Sequence, residues 1–280
     1  MTGVKMAAFD LDGTLLDHGA LTREAILMLK ALRKNGVTVV IATGRHRGTV
    51  PLRLKSPRLV DYLICTNGAV VTPPRGKPLL ERTLTGEELK GLMHLGRGFD
   101  CRYAVSAGRT TFLSQAEPLR RRKTDGGSDT KKYFWRYWMY PLHSRMAASW
   151  ADFLRQPDAR GETVVCTPAD PAEELAFRAA AEADGRFTAT GSGGAAEITA
   201  RGISKGSALQ FLTQRLNVPR EAVVAFGNDD NDLSLRDHAN WFVAARASTP
   251  AALDAADEVA DSIPQAALRL CLSGETEAKA

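Results

Sequence analysis

The sequence predicts an α/β protein, a doubly wound parallel sheet interrupted by an inserted α+β segment. Three observations lead there. Short apolar runs recur at residues 6–9, 37–42, 62–65 and 222–226, that at 37–42 nearly all β-branched, and they read as strands covered on both faces. Amphipathic helical patterns lie between them, as the crossovers of a parallel sheet require. From about Leu79 to Ala200 the texture changes to short mixed strands and helices, which divides the chain into a core part at 1–78, an inserted domain at 79–200 and a second core part at 201–280.

Taken in order, residues 6–9 run into Asp10, Leu11, Asp12, Gly13 and Thr14, a carboxylate-bearing turn at the carboxyl end of a strand. Open α/β sheets bind ligands there, although the letters alone also suit an ordinary Asp-Gly turn. Thr22 is placed to cap a helix carrying Ala25, Ile26, Leu29 and Leu32 at helical spacing, and Gly36 to end it. The run 37–42 ends in Thr43, Gly44 and Arg45. Residues 45–54 are expected to form a short helix, and 62–65 a third strand running into Thr66, Asn67 and Gly68.

Pro73, Pro74 and Pro78 punctuate the way into the insertion, where Thr85 and Glu88 make a capping box ahead of a helix. Strands are expected at 102–105, 110–113 and 163–166, and a helix at 145–154. Asp170, Pro171 and Glu173 open another helix reaching about Ala183, and 187–190 pairs with 196–199 as a hairpin. The parallel-sheet texture returns with Ser204 capping a helix that carries Ala208, Leu209, Leu212 and Leu216 on one face. Lys205 falls in its first turn. A cation gains nothing from the positive end of a helix, so its place there points to a nearby anion. The run 222–226 ends in Gly227, Asn228, Asp229, Asp230, Asn231 and Asp232, a second acidic strand end, and strands at 241–244 and 258–260 complete the sheet.

Composition narrows the function classes. With 44% hydrophobic and 25% charged residues the chain can bury a large core, which argues against long disorder. No apolar run is long enough to cross a bilayer and the first residues lack signal-peptide order, so a cytoplasmic location is expected. Cys65, Cys101, Cys166 and Cys271 lie far apart with no CxxC pair, so neither a disulfide framework nor a zinc site is expected. The net charge of +5 favours a small anionic substrate without calling for nucleic acid. Between Arg120 and Tyr140, basic residues adjoin aromatics. That pattern fits a solvated loop, contacts to a phosphorylated substrate, or a stacking surface for single strands, in that order.

The order and placement of four motifs carry a resemblance. They are Asp10-Leu11-Asp12-Gly13-Thr14, Thr43 in ATGR, Lys205 in SKGSAL and GNDDND from Gly227 to Asp232. Together they resemble the haloacid dehalogenase superfamily of phosphotransferases. Asn67 and Gly68 in CTNGAVV, with the insertion between this loop and the lysine helix, resemble its Cof-type branch with a type C2B cap. The resemblance runs from Met6 to about Leu270 and implies a Rossmann-like core with an inserted α+β cap.

The chemistry it implies can also be argued from the residues. Hydrolysis of a phosphomonoester needs a nucleophile, an acid for the leaving oxygen and positive charge around the phosphoryl group. Asp10 would attack phosphorus, Asp12 would act as acid and then base, Thr43 would hydrogen-bond a phosphoryl oxygen, and Lys205 would offset charge. Gly44, Arg45, Asn67, Gly68 and Asn231 are expected at the substrate, with Lys132 or Arg136 from the insertion. Mg²⁺ is the expected cofactor, with ligands from Asp10, the main-chain carbonyl of Asp12 and the fourth motif through Asn228, Asp229 or Asp232. The family usually has Asp directly after the glycine. An amide at that position brings no charge, so Mg²⁺ binding weaker than an Asp would give is expected, with Asp232 orienting rather than ligating. The expected activity is a Mg²⁺-dependent phosphatase of small metabolites, sugar phosphates first. A phosphomutase and a non-catalytic binding module are the alternatives, and a dehalogenase is disfavoured because it needs no acid at Asp12.

Overall fold

The computed structural model describes residues 3–17, 19–114, 144–147, 150–192 and 195–272. The basic and aromatic stretch at 120–140, with Lys132 and Arg136, and the tail from Ser273 lie outside the described residues. The chain forms two compact units, one from residues 1–45, 50–81 and 202–280, the other from residues 46–49 and 82–201.

The first unit is built on an eight-stranded sheet. Its strands lie in the order Glu258–Ala260, Trp241–Ala245, Val223–Gly227, Met6–Asp10, Thr38–Ala42, Tyr62–Cys65, Val70–Thr72, Leu80–Glu81. The first six run parallel and the last two are added antiparallel. Alternate side chains of a strand point to opposite faces, so a strand buried throughout must be covered on both. Ala7, Phe9, Val39 and Ile41 pack on one side with Met28, Leu29 and Leu32 of the helix Arg23–Lys34. Met6, Ala8, Val40 and Ala42 pack on the other with Ala208, Leu209 and Leu212 of the helix Lys205–Leu216. The Phe9 and Phe226 rings stack at 4.6 Å across the central strand pair, worth about 1 kcal/mol beyond the area they bury. Chain order reverses about the Met6–Asp10 strand, with Thr38–Ala42 on one side and Val223–Gly227 on the other, and such a switch point opens a crevice at the strands' carboxyl ends.

The second unit is a six-stranded sheet with the helices Gly86–Leu95 and Glu174–Asp184, closed around Leu89, Leu92, Val105, Phe153, Val164, Phe177 and Ile198. The capping box of Thr85 and Glu88 forms, and Phe187–Ser192 pairs antiparallel with Ala195–Ala200.

The structure departs from the sequence expectation at three places. The boundary expected at Leu79 falls inside an antiparallel extension of the first sheet, because Leu80–Glu81 pairs with Val70–Thr72 and the three prolines occupy the loop between them. No α-helix forms over 45–54, only a 3₁₀ turn at Leu52–Lys55. The Arg45 carbonyl accepts from Thr66 N and the His46 carbonyl from Thr49 N, so no helical ladder starts, and Pro51 has no N–H to offer one. Residues Ser144–Ala147 are a strand beside Thr110–Ser114 rather than the start of a helix, and Trp150–Leu154 is helical. Among the described residues, no helix is long and apolar enough to cross a membrane.

Candidate active site

Four neighbouring strand ends of the first unit converge on one cluster of side chains. Asp10 is the last residue of the Met6–Asp10 strand, Thr43 follows Thr38–Ala42, the Thr66–Gly68 turn follows Tyr62–Cys65, and Asn228 follows Val223–Gly227. Lys205 reaches the same point from the start of its helix, where the Ser204 hydroxyl accepts from Ser207 N and the Ser207 hydroxyl from Ser204 N.

Lys205 is 1% exposed, and its ammonium donates to Asp10 Oδ1 at 2.7 Å, Asp232 Oδ1 at 2.7 Å and Asn231 Oδ1 at 3.0 Å. Burial works against its charge, but Asp10 and then Asp232 outweigh that and raise its pKa above the ordinary lysine value. Burial first, then the neighbouring Asp232, push the Asp10 carboxyl up to about 7, against the opposing pull of Lys205 and the Leu11 amide. Two buried carboxylates thus share one ammonium, a cluster with an excess of negative charge.

Asp232 is fully buried. Its second oxygen accepts from the main-chain N–H groups of Asn228 at 2.9 Å and Asp229 at 3.1 Å. The Asp229 carboxylate accepts from Asp230 N at 2.8 Å as the cap of the Asp230–Asp232 turn. Both side chains, expected at the metal, are therefore engaged in shaping the loop that carries Asn228. The Asn228 amide projects forward. Its outer atom lies 2.9 Å from Thr14 Oγ1, 3.1 Å from Asp10 Oδ2 and 2.8 Å from the Asp12 carbonyl oxygen. Gly13 permits this approach, since at φ +87° a Cβ there would lie 2.6 Å from Asn228 Nδ2.

That donor set fits a hard divalent cation. Octahedral oxygen ligands at about 2.1 Å leave neighbouring oxygens about 3 Å apart, close to the 3.1 Å and 2.8 Å that separate the outer Asn228 atom from Asp10 Oδ2 and the Asp12 carbonyl. Among the described residues no three His, Cys, Asp or Glu side chains gather as a metal cluster, so a site here draws on an amide and a main-chain carbonyl beside one carboxylate.

The Asp12 side chain turns elsewhere. It accepts from Arg45 Nε at 2.7 Å and Nη2 at 2.5 Å, a bidentate pair half open to solvent on the Asp12 side. Arg45 N in turn donates to Thr43 Oγ1 at 3.1 Å, which leaves the buried Thr43 hydroxyl its own hydrogen to donate. Gly44 lies between them. Asn67 holds a left-handed conformation (φ 53°). Its N–H donates to the Thr43 carbonyl at 3.2 Å, and its side-chain oxygen accepts from Asn231 Nδ2 at 3.4 Å. Gly68, at φ +102°, lets this turn press against the lysine helix, since a Cβ there would lie 2.0 Å from the Ser204 carbonyl oxygen.

The core residues proposed from sequence are thus gathered at one sheet end, with a different division of contacts, while Lys132 and Arg136 lie outside the described residues. Asn231 and Asn67 brace Lys205, and Arg45 grips Asp12. Sequence reasoning assigned nothing to Thr14 and Gly13, although both sit in the DGT motif. A hydroxyl and a glycine directly after the acidic pair were the available signal.

Comparison with known proteins agrees with this fold. The family described as haloacid dehalogenase-like hydrolase matches residues 7–269. The HMP-PP phosphatase of Serratia proteamaculans is 30% identical over 240 residues, covering 81% of this chain and 78% of that protein. A haloacid dehalogenase-like hydrolase from B. subtilis superposes with a TM-score of 0.81 at 21% identity, over 95% of this chain and 98% of that one. A HAD subclass IIB sugar phosphatase gives a TM-score of 0.76 at 20% identity, over 95% and 98%. The two solved structures share the fold.

Proposed function

The chain belongs to the haloacid dehalogenase-like hydrolase family and is a phosphatase of it, and from that premise we propose that it hydrolyses small phosphorylated metabolites through an aspartyl phosphate on Asp10. The observation that carries the reading is the buried contact of Lys205 Nζ with Asp10 Oδ1 at the end of the central strand, two residues before Asp12.

Asp10 attacks phosphorus and the bond to the leaving oxygen breaks, giving the mixed anhydride. Asp12 delivers a proton to the leaving oxygen and later takes one from the water that cleaves the anhydride. The bidentate grip of Arg45 supports a positioning role toward Asp12, and the Thr43 hydroxyl, accepting from Arg45 N, keeps its hydrogen to donate to a phosphoryl oxygen. Lys205 keeps its charge beside Asp10 throughout, braced by Asn231 and Asp232. Mg²⁺ held by Asp10, the Asp12 carbonyl and Asn228 would supply the positive charge that lets a carboxylate approach a phosphate dianion. Gly44 and Gly68 serve the backbone path around the phosphate.

Sugar phosphates head the substrate class, and HMP-PP belongs in the same panel because a relative is named for it. The test is phosphate release from a panel of phosphorylated metabolites with Mg²⁺ or with EDTA. Release that needs Mg²⁺ and vanishes in Asp10→Asn is expected. Absence of release from every member of the panel, or full activity in Asp10→Asn, would overturn the reading.

A further inference from the structure

Every neighbour of the outer Asn228 amide atom is an oxygen: Asp10 Oδ2, the Asp12 carbonyl and Thr14 Oγ1. Of these, the carboxylate and the carbonyl can only accept hydrogen bonds, while the threonine hydroxyl can donate or accept. An amide offers oxygen on one side and N–H donors on the other in nearly the same space, so either can face this group. With oxygen forward, Thr14 donates to Asn228, and three oxygens stand together that an ionised Asp10 leaves for a cation to reconcile. With nitrogen forward, Nδ2 lies within reach of all three, and its two N–H groups can donate to Asp10 Oδ2 and the Asp12 carbonyl, the two that need a donor, while the Thr14 hydroxyl is left to turn elsewhere. An aspartate at 228 has no second option: Thr14 could still donate to it, but it could offer no N–H to Asp10 or the Asp12 carbonyl when the cation leaves.

We propose that Asn228 is a two-orientation gate at the cation position, its oxygen a ligand when Mg²⁺ binds and its Nδ2 a donor to the same two oxygens when Mg²⁺ leaves. This deepens the Mg²⁺-dependent reading above and rests on it. The gate keeps the cluster assembled without metal, and it obliges an incoming ion to displace hydrogen bonds. Weak, readily reversible Mg²⁺ binding and a fold indifferent to chelation follow. The usual Asp would reverse both, because ligand charge strengthens binding while an unpaired carboxylate strains the empty site.

The test uses the full chain. In protein labelled with ¹⁵N at asparagine side chains, with Asn228→Ser identifying the signal, the Asn228 NH₂ resonance is followed from EDTA to saturating Mg²⁺. Protection from solvent exchange in EDTA that is lost in step with calorimetric Mg²⁺ binding is expected. In Asn228→Asp, Mg²⁺ binding about tenfold tighter is expected, with a lower midpoint of thermal unfolding in EDTA and a larger rise on adding Mg²⁺. An Asn228 resonance unmoved at saturating Mg²⁺, in an enzyme that Mg²⁺ activates, overturns the gate and leaves the phosphatase reading intact. Equal stability of the two proteins in EDTA also overturns it. Phosphate release indifferent to EDTA, with no heat of Mg²⁺ binding, overturns the metal reading and the gate together. Should Asn228→Asp fail to fold, the resonance titration of the natural protein decides alone.

Discussion

Lys205 and Asp232 meet at 2.7 Å with both side chains withdrawn from solvent, and the same ammonium reaches Asp10 at the same distance. Removing the one cation of this set leaves two buried carboxylates without compensation. Lys205→Met should therefore lose about 3 kcal/mol of stability in urea unfolding, together with activity. Adding Asp232→Asn to it should restore part of the stability and none of the activity, since the charge beside Asp10 stays absent. Full recovery of turnover in the double variant would show that Lys205 acts only on the fold.

Stability should depend on the Asp10 proton. Burial and Asp232 raise its pKa to about 7 in the folded chain, so the folded state holds a proton that the unfolded state releases near its ordinary value of 3.8. The folded state binds more protons in that window, and stability falls as pH rises from about 4 through about 7. Asp10→Asn, measured in EDTA by denaturant titration, should lack this component of the decline. The variant should be no less stable than the natural protein at pH 7, because Lys205 and Asp232 remain a balanced pair.

Arg45→Lys should lower kcat more than it raises KM. A lysine retains the charge but lacks the planar fork that takes both oxygens of Asp12. Steady-state kinetics on the best substrate would show the split. A rise in KM alone would instead make Arg45 a binder of substrate, as its position in the ATGR motif first suggested.

Gly68→Ala should cost roughly 2 kcal/mol and most of the activity. The added Cβ meets the Ser204 carbonyl at 2.0 Å and the backbone holds a φ of +102°, so the loop and the lysine helix must part. Thermal unfolding and phosphate release should fall together, since the same displacement withdraws Lys205 from Asp10. Unchanged turnover would mean that the helix start tolerates the shift.

The strands and their acidic or hydroxyl-bearing ends were legible because parallel strands buried on both faces leave dense apolar runs. The polar residues that follow them have nowhere to go but the crevice. Met6–Asp10, Thr38–Ala42, Tyr62–Cys65 and Val223–Gly227 all lie within a residue or two of their expected places. The helix expected over 145–154 gives way at its start to the strand Ser144–Ala147, because an edge strand takes its partner from a remote segment, here Thr110–Ser114. Val70–Thr72 and Leu80–Glu81 escaped notice because they are short and separated by prolines.

The sequence by itself determined which chemical groups stand at the ends of which strands, because strand patterning and turn residues are local properties. Only the tertiary structure decided how those groups divide the work. Packing of the Lys205–Leu216 helix on the sheet brings Asp10 and Lys205 together across 195 positions of chain. The hydrogen bonds of the Asn228–Asp232 loop turn Asp232 toward the lysine and Asn228 toward Asp10. The direction of a side chain at a loop is set by whichever donors and acceptors the fold places around it, and no run of neighbouring letters encodes those.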